Sequence, residues 1–235
     1  MSPDLIHEIL PVGVLQCNCM ILGDPLSREA LVVDPGDETD RILEILRRHR
    51  LNVRAIVSTH THIDHVGGLA SLYRATQAPV LIHEADLELY RHLDVQAQWV
   101  GIPTPETMRL RDFVAEGDRI RWGSYFADVL YTPGHTPGSI SLVVGHNDAP
   151  AGGESQPAKD TSASASAHLG RLISGDTLFH RSIGRTDLPG GSFPQILGSI
   201  RDKLYTLPEE TLVYPGHGEP TTIGAEREAN PFVRP

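Results

Sequence analysis

The sequence has few cysteines, and their spacing argues against a disulfide. Among its 235 residues only Cys17 and Cys19 are cysteines, and both lie in the run VLQCNCMIL. Two residues this close on one extended strand are poorly placed for a disulfide, and strand alternation points both side chains to the same face. We therefore expect free cysteines packed in a core rather than a redox or metal-binding pair.

Long apolar runs and basic stretches are also missing. No apolar run approaches the ~20 residues that a membrane helix needs, and the start, MSPDLIHEIL, lacks the basic and apolar regions of a signal peptide. We expect a cytoplasmic protein with no membrane partner. The net charge of −10, without a basic track, argues against a nucleic-acid partner. A hydrophobic content of 40% fits a single domain over residues 1–235, and the oligomeric state stays open.

Four potential metal ligands stand within six positions in the run VSTHTHIDHVGG. The preceding VRAIV predicts a buried strand, and the LASLYRA that follows predicts a helix. Because alternate residues of an extended segment project the same way, His60 and His62 can reach one ion together, while Asp64 and His65 point elsewhere. A second ion about 3.5–4 Å from the first would use them. The run predicts half of a two-metal centre.

Further ligand candidates follow other strand-like runs. His135 comes after ADVLYTPG, Asp176 after RLISG and His217 after TLVYPG. A Gly or Pro-Gly turn precedes each of them and lets the chain bend sharply at the end of a strand. Strand ends are where sites form in layered α/β folds. We therefore expect these side chains to join the first cluster.

The order HxHxDH, PGHTPGS, GDTLF and YPGH resembles the metallo-β-lactamase superfamily over nearly the whole chain. That resemblance implies a four-layer αββα sandwich in which helices flank two mixed sheets and the site lies at one edge. It assigns the first metal ion to His60, His62 and His135. It assigns the second to Asp64, His65 and His217, with Asp176 bridging both.

Two loops narrow the resemblance to one subgroup of this superfamily. The runs SIGRTDLPGGS, from Ser182 to Ser192, and YPGHGEPTTIGAEREANPF, from Tyr214 to Phe232, resemble the short bacterial glyoxalase II-like hydrolases, which are hydroxyacylglutathione hydrolases. The subgroup implies an enzyme that cleaves a small-molecule thioester or ester such as S-lactoylglutathione.

Substrate-binding positions depart from glyoxalase II. A lysine and a tyrosine contact glutathione there, and the corresponding positions hold Arg185 and Asp187 here. Arg185 can bind a carboxylate in bidentate fashion, whereas Asp187 would repel an acidic peptide. The sequence also ends at Pro235 without the basic C-terminal helical portion of longer members. Glutathione thioesters are therefore expected as substrates, but as poor ones.

The implied mechanism depends on two divalent ions, with zinc expected and iron or manganese as alternatives. A water shared by two such ions loses a proton near neutral pH. The metal-bound hydroxide would attack the carbonyl, and the metals would steady the oxyanion. Asp64 is the expected catalytic carboxylate, because it could orient the water and take up its proton. The outer nitrogen of a ligand histidine is the ring nitrogen that faces away from the metal, and it usually has a hydrogen-bond partner. Asp34 and Thr136 are candidates for that partner.

The remaining sequence predicts alternating strands and helices. ALVVDPGD predicts a strand, followed by a helix capped by Thr39 or Asp40 with an apolar face formed by Ile42, Ile45 and Leu46. A later helix has Ser192 as its cap and Phe193, Ile196, Leu197, Ile200 and Leu204 on one stripe. Residues 147–170, rich in Ala, Ser, Gly and Pro, predict a disordered loop between two neighbouring strands.

Three other functions compete with thioester hydrolysis. A persulfide dioxygenase would use one iron, held by His60, His135 and Asp176, and would consume oxygen. A lactone or β-lactam hydrolase would use the same two metals on a cyclic substrate. A non-catalytic metal-binding protein would bind the metals and hydrolyse neither esters, thioesters nor lactones.

Overall fold

The computed structural model describes residues 4–147, 159–160 and 167–234. The first strands are β1 (Ile6–Val12), β2 (Cys17–Gly23), β3 (Glu29–Val33), β4 (Asn52–Val57), β5 (Val80–His83), β6 (Asp112–Val114), β7 (Arg119–Trp122) and β8 (Tyr125–Tyr131). The later strands are β9 (Ile140–His146), β10 (Lys159–Asp160), β11 (Ala167–Gly175), β12 (Leu178–Phe179), β13 (Ser182–Ile183), β14 (Leu212–Pro215) and β15 (Thr221–Thr222). The α-helices are α1 (Thr39–His49), α2 (Ile63–Val66), α3 (Leu69–Thr76), α4 (Leu87–Arg91), α5 (Leu93–Val100), α6 (Phe193–Asp202) and α7 (Ile223–Ala229). Short 3₁₀ turns occupy Glu84–Asp86 and Leu204–Thr206.

The described strands form two larger mixed sheets. The first has the order β1-β2-β3-β4-β5-β6, antiparallel from β1 to β3 and parallel from β3 to β6. The second has the order β10-β7-β8-β9-β11-β14-β15, and its one parallel pair is β11 with β14. A separate hairpin is formed by β12 and β13.

Strand alternation divides the core into three layers. In β2, Cys19 and Ile21 face a cluster with α1 and α3, whereas Met20 and Leu22 face the second sheet. A third cluster joins the outer face of the second sheet to α6 and α7. Because successive side chains of a strand point to opposite faces, both faces of each sheet are covered. The four-layer αββα sandwich predicted from the resemblance is confirmed.

Helix ends differ in detail from the sequence prediction. The predicted apolar face of α1 is buried. Its cap prediction was wrong, because Thr39 and Asp40 lie inside the helix and the cap position is Glu38, in a left-handed conformation. Ser192 stands at the cap of α6, but its side chain makes no capping hydrogen bond. Phe193 leaves the predicted stripe and is 47% exposed.

Residues 147–170, predicted as a disordered loop, lie mostly outside the described part of the chain. Within that range the structure describes β10 and the first residues of β11. The two strands expected on either side are neighbours, since β9 and β11 pair antiparallel. None of the described helices combines the length and the apolar character needed to cross a membrane.

Candidate metal centre

The seven side chains predicted to bind metal lie close together, past the carboxyl ends of strands. They are His60 and His62 in the loop after β4, Asp64 and His65 in α2, His135 after β8, Asp176 after β11 and His217 after β14. Backbone hydrogen bonds tie these loops to one another: Ile140 N donates to Thr59 O at 2.8 Å, and Gly216 N donates to Gly175 O at 2.9 Å. The site therefore depends on contacts between both sheets.

Three imidazoles form the first group. His60 Nε2 lies 3.1 Å from His62 Nδ1, and His62 Nδ1 lies 2.9 Å from His135 Nε2. All three side chains are buried. In a tetrahedral zinc site with Zn–N distances of about 2.0–2.1 Å, two ligand nitrogens are about 3.3 Å apart. The spacing of the three nitrogens therefore fits a shared cation.

A second group forms beside the first. His217 Nε2 lies 3.0 Å from Asp64 Oδ2 and 3.2 Å from His65 Nε2. His65 Nε2 lies 3.7 Å from the same oxygen of Asp64. Two imidazoles and a carboxylate are a donor set suited to zinc or iron. This set could hold a second cation.

Asp176 lies between the two groups. Its Oδ2 is 3.6 Å from His135 Nε2 in the first group and 3.7 Å from His217 Nε2 in the second. Its Oδ1 is buried and accepts no hydrogen bond from the described residues, although His65 Nε2 lies 3.5 Å away. A buried carboxylate oxygen without a donor is costly unless a cation binds it. Asp176 therefore has the position and the unsatisfied charge of a bridging ligand.

Electrostatics differ between the two groups. Burial lowers the pKa of His62 to about 3 and also lowers the pKa values of His60 and His135. Burial alone would lower the pKa of His217, but its contact with Asp64 gives a net rise. The first group is therefore a set of neutral imidazoles near pH 7, with lone pairs free for a metal.

Cys17 lies closer to this centre than the sequence suggested. It is buried and free, as predicted, and shares a face with Cys19. Its Sγ and the ring nitrogens of His65 and His217 all lie within 4.8 Å of one another. Burial raises the pKa of the Cys17 thiol to about 12. The thiol is therefore neutral near pH 7 and packs behind His65.

Oxygen atoms hold the outer nitrogens of several site histidines. His135 Nδ1 donates to the carbonyl oxygen of Arg185 at 2.8 Å. His60 Nδ1 lies 3.2 Å from Thr59 Oγ1, which itself donates to Asp34 Oδ2 at 2.8 Å. Asp34 Oδ2 also lies 3.0 Å from His65 Nδ1, as its predicted role requires, but that nitrogen makes no hydrogen bond to the described residues.

Thr136 has a different role from the predicted one. Its hydroxyl donates to Asp86 Oδ2 at 2.8 Å and contacts Ser139 Oγ, and the structure gives it no hydrogen bond to a histidine among the described residues. The prediction that it holds a ligand histidine was wrong. Thr136 instead ties the loop of His135 to the carboxylate of Asp86.

Asp86, which the sequence analysis missed, joins two loops of the centre. Its carboxylate accepts hydrogen bonds from Thr61 N at 2.9 Å, Thr136 Oγ1 at 2.8 Å and Gly138 N at 2.5 Å. Its backbone carbonyl also accepts from Thr61 Oγ1 at 2.9 Å. Thr61 stands between His60 and His62, so Asp86 fixes the spacing between that loop and the loop of His135.

Asn18 plays the same part for the loop of His217. Its backbone N donates to Gly216 O at 2.7 Å, and its Nδ2 donates to Pro215 O and Gly218 O, both at 3.0 Å. These bonds hold both sides of His217 to β2 in the first sheet. Asn18 is buried and was also missed from the sequence.

Arg185, predicted to bind substrate, has its side chain paired within the chain. Its guanidinium donates to both carboxylate oxygens of Asp187, at 2.8 and 2.7 Å. Both side chains are largely exposed. The hydrogen bonds from Arg185 lower the pKa of Asp187 to about 2. The charge expected to attract an acidic substrate is therefore balanced by its neighbour.

Comparison with protein families and sequences gives a consistent result. A family model described as the metallo-beta-lactamase superfamily matches residues 12–149 and 166–217. The hydroxyacylglutathione hydrolase GloC of Haemophilus influenzae is 33% identical over 229 residues, which cover 96% of this chain and 97% of that protein.

Two solved structures are similar over nearly their whole length. The B3 metallo-beta-lactamase BLEG-1 has a TM-score of 0.81 at 31% identity, and the alignment covers 97% of this chain and 99% of the BLEG-1 chain. TTHA1623, solved in a di-iron-bound form, has a TM-score of 0.76 at 34% identity, and the alignment covers 96% of this chain and 99% of the TTHA1623 chain.

Proposed function

The chain belongs to the metallo-β-lactamase superfamily, whose members bind metal ions, and from that premise we propose that it is a binuclear hydrolase of small thioesters. The observation that carries the proposal is the position of Asp176 between two complete ligand groups, with one buried oxygen lacking a donor. The first ion would be held by His60, His62 and His135. The second would be held by Asp64, His65 and His217.

The imidazole and carboxylate ligands suit zinc or iron. Two such ions, when bound, would lower the pKa of a water and polarise the carbonyl of the substrate. The residues of the chain supply the geometry for that chemistry. The carbonyl of Arg185 and the hydroxyl of Thr59 hold the Nδ1 atoms of His135 and His60, so both rings would present Nε2 to the first ion.

Asp64 is the proposed residue that orients the attacking water. Its Oδ2 lies 3.0 Å from His217 Nε2. Although burial raises its pKa, the charges of His65 and His217 lower that pKa well below the ordinary value. Asp64 is therefore an anion near pH 7, which can accept a hydrogen bond from a water and orient it.

Thioester hydrolysis is favoured by the relative GloC, which matches along almost the whole chain. Hydrolysis of a β-lactam ring is the second candidate, because BLEG-1 is a B3 metallo-beta-lactamase with the same fold. A dioxygenase with one iron is less favoured, since His60, His135 and Asp176 would suffice for it and the second group would have no role.

The test combines metal analysis with turnover. Protein purified without added metal is analysed for bound ions and assayed on S-lactoylglutathione, on a chromogenic cephalosporin and, with oxygen uptake, on glutathione persulfide. We expect about two ions per chain and thioester turnover. A single iron with oxygen uptake and no thioester turnover would overturn the proposal in favour of persulfide oxidation.

Ligand variants separate the metal centre from the fold. His60→Ala and His135→Ala should each lose bound metal and at least a hundredfold in turnover while remaining folded. His180→Ala is the matched control, because this histidine is exposed just beyond the GDTLF run. Full activity in both site variants would contradict the assigned centre.

A further inference from the structure

A cleft beside the proposed centre is lined mainly by carbon. It has a volume of about 350 Å³, and its apolar lining consists of Ala85, Leu89, Val95, Trp99, Pro137 and Pro189. Glu88 and His92 lie at its polar side and contact each other, with His92 Nδ1 3.6 Å from Glu88 Oε1. Pockets of about 300–1,000 Å³ with apolar walls and few polar groups are typical of small-molecule sites.

The walls of the cleft are continuous with the proposed metal loops. Gln96, which lines it, accepts a hydrogen bond from Ile63 N at 2.9 Å and donates to Thr61 O at 3.4 Å. Those two backbone groups lie on either side of His62. On the facing wall, Pro137 stands two residues after His135. A group in the cleft would therefore lie beside the first ligand group.

The facing wall is held firmly in place. A Cβ on Gly190 would come within 2.7 Å of Pro137 Cδ, so the loop that carries Pro189 packs directly against Pro137. The same loop carries Arg185 and Asp187, which pair with each other. The loop therefore carries a balanced ion pair as well as Pro189, which is one of the apolar residues that line the cleft.

Trp99 is the exposed part of this surface. Its side chain is 59% exposed, whereas Trp122, the other tryptophan, is fully buried. A large aromatic ring left open to water at the edge of a small pocket is a typical anchor for an apolar ligand.

We infer that this cleft binds an apolar aliphatic or aromatic group of the substrate, so that the enzyme prefers thioesters carrying such a group over small polar ones. The inference deepens the proposed function and rests on it. The occupant is a substrate group rather than a protein, because the cleft is small and adjoins the ligand loops. The group can belong to the acyl or the thiol side of the scissile bond.

Binding is measured first, without reference to turnover. Tryptophan fluorescence of the metal-loaded protein is titrated with phenylacetate and thiophenol, which represent an aromatic acyl and an aromatic thiol product, and with lactate as the polar control. The same titrations of Trp99→Phe give the contribution of Trp122, which is subtracted to leave the signal of Trp99. We expect saturable quenching by at least one aromatic probe and none by lactate. Leu89→Asp should weaken that binding at least tenfold, whereas Leu26→Asp, at an exposed leucine in the turn between β2 and β3, should not change it.

Turnover forms the second arm. The ratio of kcat/KM on S-phenylacetylglutathione to that on S-lactoylglutathione should fall at least tenfold in Trp99→Ala, since the loss concerns the apolar contact. The S-phenyl thioester of lactate tests the thiol side in the same way. If the probes quench the fluorescence but no thioester is hydrolysed, the cleft remains a binding site and only the proposed thioesterase activity is overturned.

Two results would overturn the inference. One is the absence of quenching by both aromatic probes at millimolar concentration. The other is Trp99 fluorescence that changes with protein concentration before any probe is added, because a second copy of the chain would then occupy the cleft.

Discussion

Single hydrogen bonds decide which ring nitrogen faces the centre in two of the site histidines, His60 and His135. His135 turns Nε2 inward because its Nδ1 donates to Arg185 O, and His60 does so because its Nδ1 contacts Thr59 Oγ1. An imidazole whose outer nitrogen is held loses neither its tautomer nor its orientation when the metal dissociates. The first group is therefore preorganised by residues that lie outside the proposed ligand set.

The seven side chains of the candidate centre could be predicted to lie together because their types and spacing in the sequence are distinctive. Apart from Asp34, the residues that hold these side chains in place could not be predicted. Asp86 contacts Thr61 and Gly138, which lie 25 and 52 positions away, and Asn18 contacts Pro215 across 197 positions. A lone Asp or Asn has no local signature, so only the folded chain identifies such residues.

We expect Asp86→Asn to lower kcat at least tenfold with little change in KM. An amide has only one acceptor oxygen, so at least one of the donors Thr61 N, Thr136 Oγ1 and Gly138 N would lose its partner, and the two ligand loops would separate. Unsatisfied donors of this kind cost about 1–3 kcal/mol of stability. Steady-state kinetics, bound metal and urea unfolding measure the three effects.

Asp94→Asn is the control for that variant, because it makes the same change at an exposed position of α5. A rise in KM with kcat unchanged would mean that Asp86 shapes substrate binding and not the spacing of the loops.

The pair of Arg185 and Asp187 leads to a second prediction. We expect Asp187→Asn to lower KM for S-lactoylglutathione severalfold at unchanged kcat, because it frees the guanidinium to bind a substrate carboxylate. Added salt should reduce the gain. Asp112→Asn, exposed in β6, controls for net charge. An unchanged KM would argue that Arg185 does not contact the substrate.

At the scale of elements, the ends of the strands agree with the sequence prediction more closely than the ends of the helices. Each predicted ligand follows its strand because a β-prone run and a turn residue mark the boundary. The cap of α1 was mispredicted because Glu38 takes a left-handed conformation there, which side-chain preferences do not reveal. Tertiary contacts determined these details.

Ligand-bearing loops pack so closely that a single methyl group should displace them. A Cβ on Gly216 would lie 2.2 Å from Asp176 Oδ1 and 2.7 Å from His65 Cε1. We therefore expect Gly216→Ala to lose bound metal and at least a hundredfold in turnover, although Gly216 is not itself a ligand. Elemental analysis and the thioester assay measure both losses.

Gly198→Ala provides the contrast, because its nearest neighbour would be 3.7 Å away in α6. Replacing a helical glycine by alanine stabilises a helix by about 0.5–1 kcal/mol. Retention of two ions by Gly216→Ala would mean that the loops can adjust, and the centre would be less rigid than its contacts indicate.

At the scale of the whole molecule, the four-layer architecture was predicted from the family resemblance and not from the periodicity of the sequence. Apolar runs such as CNCMIL are buried on both faces, so their pattern alone does not distinguish a central strand from a buried helix. The pairing of β11 with β14, which brings Asp176 beside His217, joins segments about forty residues apart. Cytoplasmic location and a single domain over the full chain stay predictions.

The contact between the two sheets makes stability depend on pH. His7 in the first sheet packs edge to face on Tyr214 in the second, with ring centroids 4.5 Å apart. Burial, helped by the charge of Arg171, lowers the pKa of His7 to about 4. In the unfolded chain it titrates near 6.5. Between these values the unfolded state binds more protons, so acidification favours unfolding.

We therefore expect His7→Phe, which keeps an aromatic ring against Tyr214, to flatten the fall in stability between pH 6.5 and 4. The contribution of His7 should be complete above pH 6.5 and should decline toward pH 4, by about 1–3 kcal/mol relative to the variant. Urea unfolding of metal-loaded wild type and variant across this range isolates the difference, because the site histidines are common to both. Parallel curves would mean that His7 is already hydrated in the folded state and that the two sheets separate locally around it.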